Sequence, residues 1–133
     1  MTVSPLAAFA DEHDGWLGRY LGERGNIGLP LNVTSQTLEA SHIVKGGAGT
    51  CFGLSGFNNG GAALFVQLFD AAAVPANGAV PGPVLNAPAG ANFSIDFGTW
   101  GRAFNAGLVV CASTTVATLT LAGASCWFDV QYV

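Results

Sequence analysis

Charge is what this sequence has least of: charged side chains make up 9% of its 133 residues, while half of the residues are apolar. Ordinary globular domains carry roughly 25% charge, and a dispersed soluble surface needs a comparable share. The deficit predicts that part of the surface is covered by partners, first of all by further copies of the chain. Cations are scarcer still, being Arg19, Arg24, Lys45 and Arg102 alone. Set within a net charge of −4, they cannot neutralise the several phosphates that dominate nucleic-acid affinity. Nucleic acid is therefore not an expected partner.

Long apolar runs are missing as well. Stretches such as Ala62–Val66 fall far short of the roughly 20 residues needed to cross a bilayer, so no membrane association is expected. Met1-Thr2-Val3-Ser4-Pro5 has no basic segment leading into an apolar one, which leaves no visible signal peptide and makes a cytosol the expected place of assembly. Cys51, Cys111 and Cys126 are odd in number and match neither a disulfide framework nor CxxC metal spacing, so they read as buried, reduced thiols. Only His13 and His42 are present, which rules out the multi-histidine metal sites of enzymatic β-barrels. The glycine-rich Gly46-Gly47-Ala48-Gly49 lacks the GKS/T ending of a phosphate-cradling loop. No cofactor and no catalytic residue is expected.

What the sequence does have is glycine, 19 residues interleaved with short hydrophobic runs. Runs of strand length recur at Ser41–Lys45, Thr50–Phe57, Ala63–Phe69, Val84–Ala87, Phe93–Phe97, Gly107–Ala112, Val116–Leu121 and Cys126–Tyr132. Gly, Pro and Asn clusters separate them, which predicts an all-β antiparallel sandwich or barrel. In Cys126–Tyr132, alternation gives Cys126, Phe128, Val130 and Tyr132 one face and Trp127, Asp129 and Gln131 the other. In Phe93–Phe97 it separates three large apolar groups from Ser94 and Asp96. Ala63–Phe69 is apolar on both faces, so Phe65 and Phe69 must be covered, either within their own domain or by another subunit. Asn58-Asn59-Gly60-Gly61 predicts a hairpin turn joining Thr50–Phe57 to Ala63–Phe69, because Asn and Gly tolerate positive φ. Pro75, Pro81, Pro83 and Pro88 punctuate a long connection and make Val84–Ala87 at best a short edge strand.

Seven of the twelve charged side chains fall in the first forty residues, which places a boundary there: residues 1–40 as an arm and 41–133 as the sandwich. In the arm, Leu6, Phe9, His13, Trp16, Leu17, Tyr20 and Leu21 recur at helical spacing after Ser4-Pro5. Four glycines, Gly15, Gly18, Gly22 and Gly25, would each cost such a helix about 1 kcal/mol. An arm that orders against a neighbour through Phe9, Trp16, Leu17, Tyr20 and Leu21, as helix or strand, fits this mixture.

Candidate chemistry is sparse. Asp11-Glu12-His13-Asp14 matches no metal motif and reads as a solvated acidic turn. A glycosidase would need two of Asp70, Asp96 and Asp129 facing each other about 5–10 Å apart. Their positions suit solvation or turn capping. Trp100, in Gly98-Thr99-Trp100-Gly101-Arg102, is the candidate for stacking on a glycan.

Ala63–Asp70 followed by Val74–Pro81, then Asn92–Phe97, Gly101-Arg102-Ala103-Phe104 and the ending Cys126–Tyr132 resemble, in pattern and order, the small glycine-rich β proteins of tailed-bacteriophage virions. The resemblance covers residues 41–133 and leaves the first forty unmatched. It implies a jelly-roll module that decorates or cements the capsid, or forms the base of a head fibre, as a homotrimer. It also implies a virion location after assembly in a host bacterial cytoplasm, the major capsid or another virion protein as partner, and no enzymatic activity. Within that picture Phe65, Phe69 and Trp127 are the expected subunit contacts. The alternative is a receptor- or glycan-binding module of a fibre or spike using Trp100.

Overall fold

Alternation in Cys126–Tyr132 puts Cys126, Phe128 and Val130 on one side of a strand. In the computed structural model, which describes residues 30–133, these three are buried, while Trp127 and Gln131 stand exposed on the other side. The same period of two organises nine strands: β1 (Leu31–Thr34), β2 (Ser41–Lys45), β3 (Gly49–Asn58), β4 (Leu64–Asp70), β5 (Val84–Ala87), β6 (Asn92–Asp96), β7 (Arg102–Phe104), β8 (Leu108–Ser113) and β9 (Cys126–Tyr132). They form two sheets packed face to face, one ordered β1-β9-β3-β6 with β7 also on β3, the other β2-β8-β4-β5. The chain is an antiparallel β-sandwich. Its pairings are nested: β1 lies beside β9, β2 beside β8, β3 beside β6 and β7, and β4 beside β5.

Between the sheets, Leu54, Phe93, Phe104, Phe128 and Val130 meet Val44, Leu64, Val66, Leu68, Leu108 and Val110. Each large side chain buried there contributes about 1.5–3 kcal/mol over leaving it in water. Gly56 pairs with Phe93 on one flank and Phe128 on the other, and all three face inward. The rings of Phe93 and Phe128, with centroids 6.1 Å apart and tilted by 58°, meet over the bare glycine.

Three sequence expectations are corrected, and one further strand is found at the sheet edge. The turn at Asn58–Gly61 does not close a hairpin: β3 and β4 lie in opposite sheets, and the segment carries the chain across the sandwich. None of its residues adopts positive φ. Asn58 instead buries its amide, whose Nδ2 donates to Ala62 O at 2.9 Å and Ala87 O at 2.8 Å while Oδ1 accepts from Gly60 N at 3.0 Å.

Val116–Leu121 is not a strand. It folds back over the second sheet, where Leu119 is buried with Phe69, Val109 and Cys111. Carbonyls at its start are taken by a side chain: Gln67 Nε2 donates to the Thr115, Val116 and Thr118 oxygens at 2.9–3.2 Å, while Leu119 O accepts from Gly78 N and Thr120 O from Thr114 N. At its start an amide reaching up from β4 thereby takes the place of a ladder partner.

The boundary at residue 40 falls too late. β1 and the turn behind it belong to the sandwich: Ser35 N donates to Phe128 O at 2.8 Å, and Ser35 Oγ accepts from Phe128 N at 2.9 Å. Charge marked a change in composition, but the backbone pairing with β9 that decides membership carries no charge signature. Phe9, Trp16, Leu17, Tyr20 and Leu21 of the expected arm lie outside the described residues.

Lastly, β6 and β7 form one interrupted edge strand, β6 pairing with Gly53–Phe57 and β7 with Gly49–Cys51. Between them the chain loops out at Gly98–Gly101, with Gly98 and Gly101 at φ +80° and +72°. The three residues of β7 lack the length for a legible alternation. An interrupted edge is a poor template for pairing with another sheet.

Cys51, Cys111 and Cys126 are free and buried. Desolvation pushes the thiols of Cys51 and Cys111 up to about 11. At pH 8 roughly 0.1% of each is thiolate, the reactive form. Native protein is accordingly expected to leave Ellman's reagent unreacted over minutes and to titrate three thiols in guanidinium. Rapid native reaction of any one would contradict this burial.

Candidate functional site

The outward faces of β6, β3 and β9 combine into one shallow polar surface, and register arranges it as a grid. Asn92, Phe57 and Trp127 form one row, Ser94, Ser55 and Asp129 the next, and Asp96, Gly53 and Gln131 the third. A groove of about 540 Å³ runs over the first two rows and Thr34, and one of about 300 Å³ continues over the second and third. They share Ser55, Ser94 and Asp129, so the surface is continuous. Trp127, 39% exposed, flanks one end beside half-buried Phe57.

The two carboxylates are held rather than loose. Thr34 Oγ1 donates to Asp129 Oδ1 at 2.9 Å, and Gly98 N donates to Asp96 Oδ1 at 2.7 Å. Neither Oδ2 has a hydrogen-bond partner among the described residues. The grid offset of two strands and two residues puts their Cα atoms roughly 12 Å apart, with both side chains leaving the same face of the sheet. They stand side by side and do not face each other across a cleft, which is the geometry two-carboxylate hydrolysis uses.

Asp70 lies elsewhere, at the end of β4, and caps the turn before β8. Its carboxyl is held below the usual range by backbone N–H groups, Ala106 first, then Asn105 and Gly107. A depressed folded-state pKa means stabilisation that is present above the unfolded value and lost as pH falls through the folded one. Asp70→Asn is therefore expected to flatten the fall in stability below about pH 4, read as urea midpoints at pH 6 and pH 2.5. An acid limb as steep as the parent's would contradict the cap.

A second polar chain joins Ser35, Glu39 and His42. Ser35 Oγ donates to Glu39 Oε2, and His42 Nδ1 lies 2.9 Å from the same oxygen. Here the carboxylate is central, whereas an acyl-transfer triad places histidine between serine and acid. With its hydroxyl also accepting from Phe128 N, Ser35 is engaged as a brace between β9 and the turn after β1. Among the described residues, no three His, Cys, Asp or Glu side chains gather as metal ligands.

The residues expected at a subunit contact fare differently. Phe69 is 4% exposed because its own chain covers it with Leu119 and Ala79, which leaves little of it for a partner. Phe65 is half-buried, and Trp127 belongs to the grid. Trp100 is 77% exposed at the tip of the β6–β7 loop, outside both grooves. The sequence had separated Ser94, Asp96, Trp127, Asp129 and Gln131 onto the outer faces of their strands. It gave no sign that β3 brings those two faces together, or that Ser55 and Phe57 join them.

Compared with family models, with curated proteins and with solved structures, the chain matches none.

Proposed function

We propose that the chain is a structural virion protein of a tailed bacteriophage, a jelly-roll module that decorates or cements the capsid as a homotrimer. The observation that carries this reading is the surface. Ile43, Val80 and Trp100 stand exposed on a sandwich whose described residues include only Glu39, Lys45, Asp70, Asp96, Arg102 and Asp129 as charged groups. Such a surface suits repeated contacts better than free dispersal. The nested pairing of β1 with β9, β2 with β8, β3 with β6 and β7, and β4 with β5 supports a jelly roll of two Greek keys. Closed rotational symmetry buries identical patches without leaving open edges.

Because β1 belongs to the sandwich, the segment to remove when testing attachment is residues 1–29 and not 1–40. Deleting it is expected to reduce occupancy on particles severalfold while leaving the melting temperature unchanged. Electron microscopy of particles is expected to show the sandwich as trimeric density on the outer capsid surface, and light scattering to give a trimer's mass. A monomer in solution together with no density on the particle would defeat the proposal.

A further inference from the structure

The grid on the outer face of β6, β3 and β9 has a composition of its own, and from it we infer that this face binds a neutral oligosaccharide. Sugars present two chemistries at once: hydroxyls that donate and accept, and a ring face of C–H groups that packs on aromatic carbon. Both are matched here. Trp127 beside Phe57 offers apolar area at one end, while the Oδ2 atoms of Asp129 and Asp96, unbonded among the described residues, accept and the amides of Asn92 and Gln131 donate. Ser55 and Ser94 do either.

The groups are pre-positioned, which lowers the ordering cost of binding. They stand on paired strands, and Thr34 and Gly98 already fix both carboxylates. Gly53 leaves the floor open where any side chain would enter: a Cβ there would meet Ile95 O at 3.3 Å and Gln131 Oε1 at 3.7 Å. Three strands and five residues span roughly 10 by 14 Å, room for a di- or trisaccharide. Among the described residues no lining side chain is cationic and two are carboxylates, so an acidic glycan would be repelled. Charge thus selects the neutral class.

This inference needs neither a particle nor an oligomer, so it stands or falls separately from the virion proposal. Maltotriose, cellotriose, N,N′,N″-triacetylchitotriose and 3′-sialyllactose are titrated into the purified chain by calorimetry. Saturable binding is expected for at least one of the three neutral sugars and not for sialyllactose. Trp127→Ala is expected to weaken it roughly tenfold or more, since aromatic anchors dominate such contacts. Asp129→Asn, which keeps an acceptor for Thr34, is expected to weaken it severalfold, and Val116→Ala, in the segment that covers the other sheet, to leave it unchanged. Thermal melts establish beforehand that each variant folds.

No heat with any neutral sugar would overturn the inference, as would unchanged binding by Trp127→Ala or a preference for sialyllactose. Self-association abolished by Trp127→Ala would overturn it too, because the face would then belong to a second copy of the chain.

Discussion

Gly56→Ala is expected to lower the melting temperature by at least about 10 °C, or to prevent folding altogether. An added Cβ would sit 2.0 Å from Trp127 O and 2.4 and 2.7 Å from two carbons of the Phe93 ring. The carbonyl is backbone in the adjacent strand and cannot swing aside, and the ring is packed against Phe128. Relief requires spreading β3 from β9 or expelling Phe93 from between the sheets. Overpacking in a close-packed core costs about 1–3 kcal/mol, and a clash with backbone belongs at or above the top of that range. Gly61→Ala supplies the contrast, since nothing lies within 4 Å of its Cβ position and its φ is not positive. Thermal melts of the two variants check the argument, and equal effects would refute it.

Asn58→Leu is expected to cost about 4 kcal/mol, read as a fall in the urea midpoint at unchanged slope. Leucine keeps the same branched skeleton with bulkier methyl groups, so no cavity opens and any overpacking adds to the loss. What is lost is the clamp: the buried bond to Ala87 O and the partly buried bonds to Ala62 O and Gly60 N all go at once, around an asparagine that itself has no solvent exposure. Each buried polar group left unpaired costs about 1–3 kcal/mol, more than the bond contributed when made. Asn58→Asp should be no better at neutral pH, because a carboxylate has no hydrogen to give to two carbonyls. A change below about 1 kcal/mol for Asn58→Leu would show that the crossing between sheets is held by something other than this amide.

These two positions also show how far the sequence could be read. Phe93, Phe128 and Val130 were legible as core from alternation alone. Asn58 was read from its residue type, as a turn former, and so a hairpin was expected where the chain crosses between sheets. Asparagine favours turns because its amide can satisfy backbone groups, and a buried crossing needs the same service. Residue type therefore does not separate the two. Gln67 shows the converse. Phe65 and Phe69, on the face of β4 that Gln67 shares, called for cover, and the structure supplies it for Phe69 from Val116–Leu121 of the same chain, whose start Gln67 holds.

For seven of the nine strands the sequence by itself showed which stretch is extended. Where alternation is regular it also showed which side chains share a face, because side-chain direction along a strand alternates residue by residue and needs no partner to define it. The polar outer faces of β6 and β9 were set at that level. Only the tertiary structure decided that β3 lies between them, turning two separate polar edges into one surface with Trp127 at its end. Ladder hydrogen bonds join backbone groups common to almost every residue, so no local signal names a strand's neighbour. That choice falls to the packing of whole faces, in which Phe93 and Phe128 close over Gly56 and leave Ser94, Ser55 and Asp129 together on the outside.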